Sequence, residues 1–167
     1  MQPEITEAYD ECGGTITIVW DTTDVCGNPI AHTQTITINP AAAAGFANVP
    51  NDTTLTCAEV AGFMPEDLVV NNGETGICAI DTIIPGDLVT DYDECGGTGV
   101  VTWTFVSPCG DSITVTQQIT IEPAPIPAFQ NVPEAVTLTC EEAATFVPED
   151  LVVTNGETGI CLIDTII

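Results

Sequence analysis

The sequence contains no lysine and no arginine, and its 167 residues include a single histidine, His32. Twenty-five acidic residues are therefore uncompensated, and the formal net charge is −25. This charge excludes nucleic acid and anionic membrane surfaces as partners, because neither finds a cation to contact. With one histidine and no lysine or arginine, the chain also lacks most of the general bases, oxyanion-binding groups and Schiff-base nucleophiles that enzymes use. We therefore expect that the protein is not an enzyme.

Long apolar runs are missing as well. No run approaches the roughly 20 consecutive apolar residues that a membrane-spanning helix needs, so we expect no membrane insertion. Met1 is not followed by a basic region and an apolar core, which indicates that no signal peptide is present here. We expect any export signal to lie upstream.

What the sequence does contain is a repeat of 83 residues, and all eight cysteines obey it. The step carries Cys12 to Cys95, Cys26 to Cys109, Cys57 to Cys140 and Cys78 to Cys161. Residues 41–84 and 124–167 are identical at 30 of 44 positions. A period of this length predicts tandem domains. We interpret 1–40 as the C-terminal half of one repeat, 41–123 as a complete repeat and 124–167 as the N-terminal half of the next, together a window of a longer repetitive polypeptide.

Alternating apolar and polar residues predict an all-β fold. Thr15–Trp20 and Ile30–Ile38 predict a hairpin. The equivalent strand in the next repeat, Gly99–Val106, predicts that Val101, Trp103 and Phe105 point inward. Further strands are predicted at Thr53–Cys57, Leu68–Val70, Ile77–Ile84 and Ile113–Ile121, with Pro85–Glu94 as an acidic connection and no helix. Short strands separated by turns favour tandem immunoglobulin-like antiparallel β-sandwiches.

Four cysteines in each small repeat indicate a disulfide framework and an oxidising, extracellular setting. If successive strands run antiparallel, a bond between Cys95 and Cys109 would span a strand about 26 Å long, whereas bonded Cα atoms lie within about 7 Å. We therefore prefer Cys57–Cys95 and Cys78–Cys109. The alternative is Cys57–Cys78 with Cys95–Cys109, if Cys95 lies on a loop that folds back. On the preferred pairing Cys12, Cys26, Cys140 and Cys161 pair with the adjoining half-repeats, outside this sequence.

A family resemblance rests on one strand–turn–strand pattern: Thr-Ile-Thr-Ile-Val-Trp, then Asp-Val-Cys-Gly-Asn, then Thr-Gln-Thr-Ile-Thr-Ile. It resembles the end of a hyalin-type (HYR-like) repeat, an immunoglobulin-like extracellular module. The four-cysteine version, with Asp-Glu-Cys-Gly-Gly before the tryptophan strand, is similar to repeats of large surface adhesins and fibres of gliding, type IX-secreting bacteria. The second repeat departs from the pattern, with Ser-Pro-Cys-Gly-Asp at the turn. The resemblance implies an extracellular, cell-surface location.

The same resemblance implies O-glycosylation at Asp-Thr or Asp-Ser sites. The candidate residues are Thr22, Thr53, Thr82, Ser112 and Thr165. The simpler interpretation is that these are turn aspartates followed by strand residues.

Calcium is the only cofactor that the composition suggests. Hard oxygen ligands are abundant, and Asp91, Asp93 and Glu94 form an acidic turn beside glycines. No EF-hand loop accompanies them, so a solvated acidic loop is the alternative.

These observations predict a structural stalk or fibre module of a long extracellular adhesin or filament, which gives reach and stiffness at the cell surface. Its expected partners are neighbouring repeats of the same polypeptide or fibre. The alternative is a ligand- or glycan-binding adhesion module, assisted by calcium, that binds surface glycans.

Overall fold

The structure, a computed structural model, describes residues 2–167, and in that part of the chain the fold is all-β. The strands are β1 (Glu4–Asp10), β2 (Gly13–Thr23), β3 (Pro29–Ile38), β4 (Gly45–Phe46), β5 (Thr53–Leu55), β6 (Leu68–Asn71), β7 (Asp81–Ile84), β8 (Asp87–Asp93), β9 (Gly96–Val106), β10 (Ser112–Ile121), β11 (Ala128–Gln130), β12 (Val152–Thr154) and β13 (Asp164–Ile166). The helices are two single turns, α1 (Cys57–Val60) and α2 (Cys140–Ala143), and two 3-10 turns, Gly76–Cys78 and Gly159–Cys161.

The strands form four sheets. Three have three strands, in the orders β1-β2-β3, β4-β6-β7 and β11-β12-β13, and the fourth has the order β5-β10-β9-β8. The ladders within the three-stranded sheets are antiparallel. The β5–β10 pair is parallel, with Thr53 opposite Ile119. This parallel pair joins the beginning of the complete repeat to its end.

The predicted hairpin over Thr15–Trp20 and Ile30–Ile38 is confirmed as β2 and β3, which pair antiparallel with Trp20 opposite His32. The turn between them is held by Asp24. Its carboxylate accepts hydrogen bonds of 2.8 Å from the backbone N–H groups of Cys26 and Asn28. A short carboxylate side chain that bonds the backbone two residues ahead is a common way to fix such a turn.

The tryptophan strand, β9, is buried along one face. Val101 and Trp103 are fully buried and Phe105 is 9 % exposed, so the predicted inward face of this strand is confirmed. The indole Nε1–H of Trp103 donates a 3.0 Å hydrogen bond to the carbonyl oxygen of Glu66. Leu68, Val70, Ile119 and Ile121 are also buried.

The chain divides into two compact units that do not follow the repeat. One comprises the residues up to Val49, Glu66–Gly86 and Thr102–Val115, and the other comprises Pro50–Pro65, Asp87–Val101 and Thr116–Ile167. Each unit therefore combines segments from more than one repeat. The repeat boundaries themselves remain a prediction from the sequence.

Three local predictions are wrong. The segment 77–84 is a 3-10 turn followed by the shorter strand β7, because the Asn72 side-chain amide donates to the Cys78 carbonyl at 2.8 Å and accepts from the Ile80 N–H at 3.0 Å. The acidic segment 85–94 contains strand β8, whose alternation is hidden because aspartate fills its exposed positions. A helical turn, α1, replaces the end of the strand predicted at 53–57.

The beginning of strand β9 leaves no room for a side chain at Gly97. A Cβ built there would lie 2.7 Å from the Cα atom of Tyr92 and would also clash with the Asp91 carbonyl oxygen. Because both atoms belong to backbone, they cannot rotate away. We expect Gly97→Ala to lower the free energy of unfolding by about 1–3 kcal/mol, measured by urea denaturation. Gly62→Ala is the control, because its nearest new contact lies at 3.9 Å. Equal stability of the two variants would contradict the packing described here.

Candidate functional site

The features of this chain that carry functional information are its two disulfide bonds. Cys12 is bonded to Cys109, with Cα atoms 5.3 Å apart, and Cys57 is bonded to Cys161, with Cα atoms 5.8 Å apart. Both separations lie in the usual range for disulfides. The other thiols in residues 2–167, those of Cys26, Cys78, Cys95 and Cys140, are free.

The predicted pairing is therefore wrong. Neither Cys57–Cys95 nor Cys78–Cys109 is formed, and neither is the alternative Cys57–Cys78 with Cys95–Cys109. Cys12 and Cys161, predicted to pair outside this sequence, find partners inside it. Two structural features account for the difference: Cys57 lies in a helical turn instead of at a strand end, and strand β8 lies between Cys78 and Cys95.

The repeat explains what the observed bonds have in common. We number the cysteines of a repeat by their order in the complete copy: Cys57 is first, Cys78 second, Cys95 third and Cys109 fourth. Cys12 is then the third cysteine of the preceding repeat, and it bonds the fourth of the complete one. Cys161 is the second cysteine of the following repeat, and it bonds the first of the complete one. Each disulfide thus joins one repeat to the next.

The Cys57–Cys161 bond is enclosed in a small apolar cluster. Cys57 is 2 % exposed and Cys161 is 4 % exposed, and they pack with Ala124 and the half-buried Tyr92. Cys57 is the first residue of α1, and Cys161 is the last residue of a 3-10 turn. Burial of both sulfur atoms restricts the access of a reducing agent.

The Cys12–Cys109 bond joins two β-turns. The backbone N–H of Cys12 donates to Asp10 Oδ1 at 2.8 Å, and that of Cys109 donates to Ser107 Oγ at 3.1 Å. A cavity of about 130 Å³ lies beside Cys109, lined by Phe105 and by the alanine-rich joint of residues 41–44, among others. It is smaller than the roughly 300–1,000 Å³ that ligand pockets occupy. This end of the site is suited to linkage and not to the capture of a sizeable ligand.

A capping box holds the helical turn that presents Cys57. The carboxylate of Glu59 accepts 2.8 Å hydrogen bonds from both the backbone N–H and the hydroxyl of Thr56. The same arrangement links Thr139 and Glu142 around Cys140. The backbone N–H of Thr56, and then its hydroxyl, hold the pKa of Glu59 below the ordinary value of 4.5. The box therefore stabilises the fold above the ordinary pKa, and this contribution is lost as the pH falls through the lowered value.

We expect Thr56→Val to raise the pKa of Glu59 only part of the way to 4.5, since the backbone donor remains. Carboxyl-carbon NMR titration measures this change. Thr139→Val is the matched control: it should raise the pKa of Glu142 and leave that of Glu59 unchanged. A Glu59 titration that is identical in the wild type and in Thr56→Val would contradict the hydroxyl contact.

The predicted calcium residues do not form a site. No group of three or more acidic, cysteine or histidine side chains within residues 2–167 is arranged to hold a metal ion. Asp91 and Asp93 line a shallow depression, but Asp93 Oδ1 already accepts a 2.7 Å hydrogen bond from the Cys95 N–H. The Asp93 side chain therefore fixes the turn, and Asp91, Asp93 and Glu94 do not form a group that could hold a metal ion.

The five predicted glycosylation residues all lie in strands. Thr22, Ser112 and Thr165 are exposed, whereas Thr53 and Thr82 are half-buried. Thr53 also lies in the β5–β10 ladder. Glycosylation of these residues stays a prediction. The exposed residues Thr22, Ser112 and Thr165 are the ones that a glycosylating enzyme can reach most easily.

The sequence analysis missed the role of Asn72 and its repeat counterpart Asn155. Asn155 Nδ2 donates to the Cys161 carbonyl oxygen at 2.7 Å, as Asn72 does to that of Cys78. Both asparagines stand in the same Asn-Gly-Glu-Thr-Gly-Ile-Cys segment. The repetition of this segment was the feature of the sequence from which a conserved-geometry turn before Cys78 and Cys161 could have been predicted.

Comparison with known proteins gives no relative: the chain matches no protein-family model, no curated protein and no solved structure. Each helix described in residues 2–167 is only a short turn, and none is long and apolar enough to cross a membrane.

Proposed function

We propose that the chain is a structural stalk or fibre module of a long, repetitive extracellular protein, and that it gives reach and stiffness at a cell surface. The observation that carries this proposal is that both disulfides join one repeat to the next. Each bond also lies inside one compact unit, so each unit is closed by a bond between segments of successive repeats. Repeats interlocked in this way cannot separate at the repeat boundaries under load, which is what a stiff stalk needs.

The finer fold belongs to this proposal: each 83-residue repeat is an immunoglobulin-like sandwich. Its support is a comparison of equivalent residues within the chain. Trp103, in the complete repeat, is 0 % exposed, whereas its counterpart Trp20, in the preceding half-repeat, is 39 % exposed. Ile119 and its counterpart Ile36 are 2 % and 37 % exposed. The apolar face is thus covered where both halves of a repeat are present in the chain.

The surface chemistry fits an exposed fibre. A net charge of −25 keeps neighbouring chains apart and soluble. The absence of lysine and arginine removes every trypsin site from the sequence. Disulfides form and persist in oxidising compartments, which supports a location outside the cell. The resemblance to hyalin-type repeats of surface adhesins points in the same direction.

The test is immunogold electron microscopy of the native cell surface, with antibodies raised against this chain. We expect label along filaments with a regular repeat of a few nanometres, since strands of 10 to 11 residues are about 35 Å long. Pre-absorption of the antibody with the purified chain is the control. Label on compact, isolated particles would contradict the fibre proposal and would favour the ligand-binding alternative.

A further inference from the structure

We propose that copies of this chain join head to tail through two further disulfides, Cys95 of one copy to Cys26 of the next and Cys140 of the first copy to Cys78 of the next. This inference rests on the proposed fibre function and names the partner, a second copy of this chain. It starts from the four free thiols. Each of them is the repeat counterpart of a cysteine that is already bonded.

The turn cysteines have the same local structure whether they are free or bonded. The free Cys95 donates its backbone N–H to Asp93 Oδ1 at 2.7 Å, as the bonded Cys12 does to Asp10 Oδ1 at 2.8 Å. Cys26 and Cys109 also lie in equivalent turns, each closed by one backbone hydrogen bond. In the Cys26 turn the N–H of residue 24 donates to the carbonyl oxygen of residue 28 at 2.9 Å, and in the Cys109 turn residue 107 donates to residue 111 at 2.7 Å. Cys26 and Cys95 are exposed, so both thiols are accessible to a partner.

The second pair of free cysteines is presented in the same way. Cys140 begins α2 behind the Thr139–Glu142 box, as the bonded Cys57 begins α1 behind the Thr56–Glu59 box. Cys78 ends a 3-10 turn held by Asn72, as the bonded Cys161 ends one held by Asn155. No rearrangement of the local backbone is required before these thiols can form the bonds that their counterparts make.

One register satisfies both bonds. The observed bonds join the third cysteine of a repeat to the fourth of the next, and the first to the second of the next. If residues 1–40 of a second copy supply the back part of the repeat that begins at residue 124, Cys26 of that copy becomes the fourth cysteine required by Cys95. In the same register, Cys78 of that copy becomes the second cysteine required by Cys140. Both bonds require the same placement of the second copy, as the 83-residue period of the cysteines dictates.

The backbone supports the same register. In the complete repeat, β5 pairs in parallel with Ile119–Ile121 of β10. The segment equivalent to β5 is 136–138, and it is not a strand; Val136 is 66 % exposed and Leu138 is 39 % exposed. The segment equivalent to Ile119–Ile121 is the end of β3, which pairs only with β2 among the strands of residues 2–167. Addition of β3 of a second copy to residues 136–138 would complete the ladder by β-augmentation.

The covalent step needs an oxidant, for which we name a small-molecule disulfide such as oxidised glutathione. The thiolate of one cysteine attacks a glutathione sulfur, which forms a mixed disulfide and releases one glutathione thiolate. The thiolate of the partner cysteine then attacks the protein sulfur, the interchain bond forms and the second glutathione leaves. Each bond thus oxidises two protein thiols and reduces one glutathione disulfide to two thiols. A joint of two bonds consumes two oxidant molecules.

The experiment uses two complementary variants of the full chain. Cys26→Ser with Cys78→Ser retains only the thiols of Cys95 and Cys140, and Cys95→Ser with Cys140→Ser retains only those of Cys26 and Cys78. Each is incubated in a glutathione redox buffer at about 0.15 M salt, which screens the repulsion between acidic copies. Non-reducing electrophoresis and mass photometry then report size. We expect a ladder of oligomers for the wild type, monomer for each variant alone and a dimer that grows no further for the equimolar mixture.

Peptide mapping of the mixed dimer identifies the bonds. Trypsin has no site, so a protease specific for aspartate and glutamate is combined with chymotrypsin; cleavage at Asp24 separates Cys12 from Cys26, and cleavage at Trp103 separates Cys95 from Cys109. We expect Cys95–Cys26 and Cys140–Cys78 peptides. Monomer in the mixture, a ladder from either variant alone, or mapped bonds with any other pairing would overturn the proposal. Circular dichroism verifies that both variants are folded. This result is independent of the cell-surface imaging: copies that fail to join leave the fibre proposal standing, and copies that join without native filaments refute only the fibre function.

Discussion

Replacing both Cys57 and Cys161 by serine is expected to lower the free energy of unfolding by about 4–5 kcal/mol. The bond closes a loop with a sequence separation of 104 residues, and the chain-entropy model assigns a loop of this size a value in that range. Both sulfur atoms are also buried, so the serine hydroxyls would enter an apolar cluster with Ala124 and Tyr92. The loss equals a large fraction of the total stability of an ordinary domain.

The measurement is urea denaturation of dilute protein without reductant, after alkylation of the free thiols. The chain carries its own matched control, Cys78→Ser with Cys140→Ser, because these are the repeat counterparts of Cys161 and Cys57 and are free. We expect the control to stay within about 0.5 kcal/mol of the wild type. Equal losses from the two double variants would show that the Cys57–Cys161 bond does not contribute to the free energy of unfolding, and this result would contradict the structure.

Trp103→Ala is expected to cost about 3–5 kcal/mol, the range for deleting a buried large aromatic side chain. Trp103 is 0 % exposed, and its Nε1–H satisfies the Glu66 carbonyl oxygen at 3.0 Å. The substitution therefore leaves both a cavity and an unpaired acceptor. Trp103→Phe keeps most of the apolar volume but removes the donor, so it should lose less than the alanine variant.

The control for this prediction is Trp20→Ala, the same position of the preceding repeat. Trp20 is 39 % exposed and stacks on His32 with ring centroids 5.7 Å apart. Because much of its surface already contacts solvent, we expect a loss well below that of Trp103→Ala when both are measured by thermal and urea denaturation. If Trp20→Ala costs as much as Trp103→Ala, the difference in burial between the two repeats is not real.

The elements that the sequence predicts well are those in which local pattern decides the structure. Along the β2–β3 hairpin and the tryptophan strand, alternating residues place one face in the core, and the inward residues Val101, Trp103 and Phe105 follow directly. Strand β8 was not predicted, because the aspartates at its exposed positions give the segment the composition of an acidic loop. Residues 77–80 have strand-like composition, but the Asn72 amide provides hydrogen bonds that compete with the ladder.

The disulfide pairing could not be predicted, because it depends on which repeat lies beside which. A period of 83 residues guarantees that every bond has equivalents along the chain. It does not say whether the partner of Cys57 is in its own repeat or in the next, because both satisfy the same period. The calcium prediction failed for a related reason. The sequence shows that Asp91, Asp93 and Glu94 are close together along the chain, but it does not show that the Asp93 carboxylate accepts a hydrogen bond from a backbone N–H.

The interlacing of the two bonds decides how much of the chain a pulling force can reach. Cys57 lies between Cys12 and Cys109, and Cys109 lies between Cys57 and Cys161, so the two closed loops overlap. A force applied to the two ends has two short routes from Cys12 to Cys161: along the backbone to Cys57 and across its sulfur bridge, or across the Cys12–Cys109 bridge and along the backbone from Cys109. Reduction of Cys57–Cys161 alone therefore leaves the separation of 97 residues between Cys12 and Cys109 bridged. At roughly 3.4 Å per residue, about 350 Å of contour length is withheld with both bonds intact, and most of it is released only when both are reduced. Either bond alone thus limits the extension of the protein under load, and only the loss of both converts it into a longer, softer tether.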